Sequence, residues 1–158
     1  LMSSFLLMLH NLMRWIIILL AIYAIYNNFT GWRNARKFTK KDKTLNGIFV
    51  GTMHLQLLIG LIMYFFVSPM MKEILGDFGA AMKDAGKRFW AMEHIAGMII
   101  GIAVVQIGNI VSKKSADDTE KYRKAFVYFL IGVLIIVLCL PYSFHGGERP
   151  LNPFDHAQ

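Results

Sequence analysis

Four long apolar runs, separated by short polar segments, organise this chain. They cover residues 4–27, 45–67, 89–112 and 125–144. Apolar side chains fill nearly every position of each run, so none keeps the polar stripe of a helix that faces water. Each is long enough to cross the roughly 30 Å hydrocarbon layer of a bilayer, which takes about 20 helical residues. Lipid cannot satisfy open strand edges, so the runs are expected to be helices. A water-soluble bundle of four such helices would expose too much apolar surface. The pattern therefore predicts an all-α, integral membrane four-helix bundle, a single domain over 1–158.

The polar segments set the expected orientation. Arg33, Arg36, Lys37, Lys40, Lys41 and Lys43 crowd the first connection, and Lys113, Lys114, Lys121, Arg123 and Lys124 the third. The second connection, 68–88, balances its basic residues with acidic ones, and no charge precedes the first run. The excess of positive charge in cytoplasmic loops then places both termini outside. Topology and anionic lipid account for these basic clusters without nucleic acid as a partner. Composition agrees, with 56% hydrophobic and 17% charged residues and a net charge of +7; soluble domains carry roughly 25% charged residues. The single cysteine, Cys139, allows no intrachain disulfide.

The first run lacks a basic n-region and a small-residue cleavage site, and reads as a span rather than a cleaved signal. In the outer connection Met70, Met71, Ile74, Leu75, Phe78 and Met82 alternate with charged residues. That pattern suits a short helix lying on the membrane surface.

Polar groups inside spans are costly and mark candidate chemistry. Span one holds His10, Asn11 and Arg14; span two His54 and Gln56; span three Glu93 and His94, then Gln106 and Asn109; His145 follows span four. Histidines on facing apolar helices are what a membrane protein needs to hold haem b, through neutral imidazole nitrogens on either side of the iron. The metal-ligand candidates are His94, His10 and His54. At 1.5 Å per residue His10 and His94 both lie roughly 9 Å below the outer boundary, and His54 roughly 20 Å below it. Depth thus favours His10 with His94; helix tilt would allow His54 with His94. Gly47 and Gly51 before His54, and Gly97, Gly101 and Gly108 after His94, either admit a porphyrin or simply pack helices. Arg14, one turn from His10, is a candidate for a haem propionate or for an ion pair with Glu93. Gln56 and Glu93 are candidates for orienting a ligand imidazole or a quinone carbonyl, or for joining helices.

The stretch from His10 through Asn11 and Arg14 to Trp15, His54 with Gln56 and Gly60, and the pair Glu93–His94 resemble the small four-helix bacterial membrane proteins described as cytochrome-b-like. The resemblance covers most of the chain. It implies haem b as cofactor and electron transfer between the quinone pool and partner respiratory subunits in the bacterial inner membrane. Span four has no buried histidine, unlike the b561 type, which leaves a single haem as the expectation. A different reading is a non-catalytic accessory subunit of a larger respiratory or transport complex, its polar residues joining helices or binding lipid. A third is a small transporter or proton path built on Arg14, Glu93 and His94.

Overall fold

A computed structural model describes residues 2–141; His145 lies outside them. The described residues are helical with short connections. Helix α1 spans Met2–Arg33, α2 Lys40–Ile62, α3 Pro69–Gly76, α4 Phe78–Ala81, α5 Ala85–Arg88, α6 His94–Lys114 and α7 Asp118–Leu138. Wider π-helical turns extend α2 through Met63–Val67 and lead into α6 through Phe89–Glu93.

Three helical stretches, Met2–Arg33, Lys40–Val67 and Ala85–Lys114, are long and apolar enough to cross a membrane. Their outward faces carry bare apolar side chains, among them Leu19 (67% exposed), Ile22 (62%) and Leu58 (55%). Helix α7 is apolar only beyond its first two turns. Asp118, Glu120, Lys121, Arg123 and Lys124 all precede Ala125, so the uncharged part of the described helix is shorter than in the other three.

The four long helices pack side by side in a ring: α1 lies on α2 and α7, and α6 on α2 and α7. Helices α1 and α6 therefore face each other across one diagonal. Phe49 and Phe129 meet edge-to-face at 5.2 Å in the centre, with Ala21, Ala24, Met53, Ile102 and Val105 around them. The α6–α7 seam is the closest. A Cβ on Gly97 would strike Cys139, on Gly101 Ile136 and the Gly132 carbonyl, and on Gly108 Tyr128. The α6 glycines thus let α7 approach, as small residues do in membrane helix pairs. Around Gly47 and Gly51 nothing lies within 4 Å of an added Cβ.

Local chemistry sets the helix ends. Thr39 precedes α2 and gives both its backbone N–H (2.9 Å) and its hydroxyl (2.6 Å) to Asp42, three residues on, an N-terminal cap of the capping-box kind. Ser68 accepts from Met71 N–H at the start of α3, and Pro69 takes a first-turn position where no N–H is needed. Asp117 caps α7 by accepting from Glu120 N–H at 2.9 Å.

The connection 68–88 buries part of the apolar face expected to lie on a membrane surface, while Leu75 and Phe78 stay exposed. Met71, Ile74 and Ala81 are buried against Ala91, with Tyr64, Met70, Met82 and Trp90 packed on them. Its apolar face closes on the ends of α2 and α6. Amphipathicity fits either a membrane surface or a protein surface, and only the arrangement of the neighbouring helices decides between them.

Candidate functional site

A cavity of about 320 Å³ opens among α1, α2, α6 and α7, at the end covered by α3. Its volume falls within the range of small-molecule sites. The walls are mostly Ile, Leu and Met, and the polar groups on them are few: His10, Asn11, Arg14, Gln56, Tyr64 and His94 among others. Arg14 supplies the formal positive charge, and no carboxylate appears among the described residues of the lining. The cavity therefore favours a ligand with an apolar body and an anionic or hydrogen-bonding edge.

Each polar group has a structural reason for its place. His10 comes from α1, and its ring lies over Gly60 of α2, where an added Cβ would stand 3.4 Å from Cε1. Gln56 Nε2 donates to the His10 carbonyl at 2.8 Å. That carbonyl can only accept, so the amide orientation is fixed. Gln56 Oε1 is buried and accepts no hydrogen bond from the described residues. Arg14 lies one helical turn from His10, with its guanidinium 5.8 Å from the centre of the Trp15 ring.

His94 enters from α6, across the diagonal from His10. It follows directly on the π turn Phe89–Glu93, whose extra residue sets the facing of the helix that begins there. Phe89 and Trp90 lean on its ring at 5.8 and 5.2 Å between centroids. Nδ1 donates to the Cys139 carbonyl at 2.9 Å. In the neutral ring this puts the lone pair on Nε2, the tautomer in which histidines commonly ligate metals. Tyr64 gives its hydroxyl to the Ala91 carbonyl at 2.7 Å and ties the two π turns together beside the cavity.

His10, Arg14 and His94 thus share one cavity; His54 does not line it. His54 is exposed on α2, and Nε2 donates to Gln106 Oε1 of α6 at 2.8 Å. The ion pair considered for Arg14 is taken elsewhere. Glu93 accepts from Arg88 Nε at 3.0 Å, both side chains nearly half exposed. Among the described residues no cluster of three or more His, Cys, Asp or Glu side chains forms a metal site. No family model, curated protein or solved structure matches the chain.

Nothing in the sequence singled out Met53, Met63 and Met98, and its pattern pointed Met70 and Met71 to a membrane surface, yet all five line the cavity. Methionine suits irregular apolar walls because its thioether is flexible and polarisable. The signal was present as ten methionines in the chain, but composition does not say which of them share a wall. The π turns left no readable mark in the sequence.

Proposed function

We propose that the chain is a four-span membrane protein with both termini outside that holds haem b and exchanges electrons between the quinone pool and partner respiratory subunits in a bacterial inner membrane. The observation that carries this reading is that His10 and His94, from diagonally facing helices, both line one apolar cavity that Arg14 also lines. The donor set fits the group. Two imidazoles would ligate it, Ile, Leu and Met walls would exclude water, and Arg14 would meet an acidic side group. The hydrogen bond from His94 Nδ1 to Cys139 would hold that imidazole in its ligating tautomer. The bound haem supplies one-electron chemistry; the chain supplies ligation, orientation and field.

The test is a visible spectrum of the protein purified from cells supplied with haem. The wild type is expected to show a reduced α-band of b type from six-coordinate, low-spin iron. His94→Ala and His10→Ala should each abolish it, and His54→Ala should retain most of it. Loss in His54→Ala with retention in His10→Ala would overturn the pairing, and no haem in the wild type would overturn the function. Arg14→Gln should keep the absorbance and lower the midpoint potential, because a nearby cation favours the reduced, less positive site. An unchanged potential would remove the propionate role. For orientation, an impermeant thiol reagent applied to cells carrying Cys139→Ser should label a cysteine placed at Asn152 and spare one at Asp117. The opposite pattern would invert the topology.

A further inference from the structure

A second depression, of about 440 Å³, lies at the opposite end of the molecule, between the end of α1 and the start of α2. Tyr23 and Leu45 form its apolar side; Asn27, Arg36, Lys37, Thr39, Lys41 and Asp42 form its polar side. Three cations face one carboxylate there. That carboxylate is already engaged, since Asp42 accepts from Thr39 N–H and hydroxyl, from Asn27 Nδ2 at 2.9 Å and from Arg36 Nη2 at 3.3 Å. Arg36 is held in place. Nε donates to the Tyr122 hydroxyl at 3.2 Å and Nη2 to Asn27 Oδ1 at 2.7 Å, with its guanidinium 5.2 Å from the Tyr122 ring centre. Among the described residues Nη1 donates to none of them. Lys37 and Lys41, both exposed, line the same depression as this guanidinium. The first turn of α2 adds the partial positive charge of a helix N-terminus.

We propose that this depression binds a phosphate group, that of an anionic lipid headgroup, with Arg36, Lys37 and Lys41 as its partners. A hydrogen-bonded guanidinium and two exposed ammonium groups lining one depression match a tetrahedral anion with several acceptor oxygens. The setting favours lipid over free phosphate. The cations lie just beyond the apolar part of α1 and α2, and Tyr23 and Leu45 offer an apolar wall to the glycerol and acyl portion. Tyrosine is favoured at the boundary between headgroups and hydrocarbon.

Native mass spectrometry of the full chain, released from detergent carrying equal amounts of phosphatidylglycerol and phosphatidylcholine, tests this. Phosphatidylglycerol is expected to remain bound in preference. Lys37→Ala/Lys41→Ala should weaken its retention by roughly 25-fold, about fivefold for each lysine near a membrane surface. Both lysines are exposed, so the fold should be untouched. Lys113→Ala/Lys114→Ala removes the same charge from the other basic cluster and should leave retention unchanged. Equal losses in the two double variants, or no preference for phosphatidylglycerol, would overturn the site. Millimolar inorganic phosphate should not displace the lipid; displacement would overturn the lipid assignment in favour of free phosphate.

Discussion

The two ends of the helix ring treat buried polar groups in opposite ways. At the basic end they are paired with one another. Asn28 and Asn46, both fully buried, exchange side-chain hydrogen bonds at 2.8 and 3.3 Å, and Asn28 also donates to the Ala24 carbonyl. Ser112 gives its hydroxyl to the Lys121 carbonyl at 2.7 Å. Tyr122 is fully buried, donates to the Lys37 carbonyl and accepts from Arg36. It fits against Gly31 so closely that a Cβ there would enter its ring. At the other end the polar groups surround a cavity, and Gln56 Oε1 has no donor among the described residues. A mutually satisfied buried network specifies one arrangement of helices, whereas a cavity with polar groups on its walls costs stability that a ligand can return. The basic end therefore holds the fold, and the opposite end is where chemistry is expected.

Glycine substitutions probe the packing of the basic end most directly. Gly31→Leu should cost about 3 kcal/mol in reversible unfolding from detergent, because the added side chain overlaps a buried ring with no room to move. Gly47→Ala meets nothing within 4 Å and should be neutral or stabilising by up to about 1 kcal/mol. Equal effects at the two positions would show that the basic end is not tightly packed.

Asp42 gives a pH test of the same network. Burial opposes its ionisation, yet hydrogen bonds from Asn27 and Thr39 outweigh that and hold its carboxyl at about 2, below the ordinary 3.8. A depressed folded value means that the stabilisation is present above the unfolded value and is lost as pH falls from about 4 towards 2. The wild type should lose up to about 2 kcal/mol across that window, and Asp42→Asn should lack that component. Parallel pH profiles for the two proteins would remove Asp42 from the network.

An amide-to-leucine change sharpens the contrast. Asn46→Leu strands the Asn28 amide in a buried setting and should cost about 2 kcal/mol; adding Asn28→Leu should recover part of it. Gln56→Leu is the smallest effect. It breaks one bond to a helical carbonyl but also removes a buried acceptor that has no donor among the described residues, so the net change should stay below about 1 kcal/mol. A larger loss at Gln56 than at Asn46 would reverse the roles of the two ends.

Much of this was legible in the sequence because it rests on composition over long windows. The apolar runs beginning at 4, 45 and 89 lie on helices, and their limits shift outward by a few residues where polar caps such as Thr39 continue the turn. The fourth is helical from Asp118, well before its expected start at 125, because capping by Asp117 and the pairs Lys121–Asp118 and Arg123–Glu120 extend the helix into charged sequence. The glycine stripe after His94 had two readings, and contact with α7 takes up Gly97, Gly101 and Gly108. Depth along a helix could rank His10 with His94. It could not say which way His54 faces, because azimuth depends on where the neighbouring helices stand.

By itself, then, the sequence determined that this chain is helical, that long stretches of it suit a membrane, and where its charges gather. Those properties are sums over neighbouring residues, and hydrophobic transfer acts on such sums. The tertiary structure alone decided which polar side chains share a space. The ring order puts α1 opposite α6, the π turn before His94 sets where that helix begins to face, and Arg88 takes Glu93 away from Arg14. Each of these depends on side chains distant along the chain meeting at a few ångströms, which no local pattern encodes.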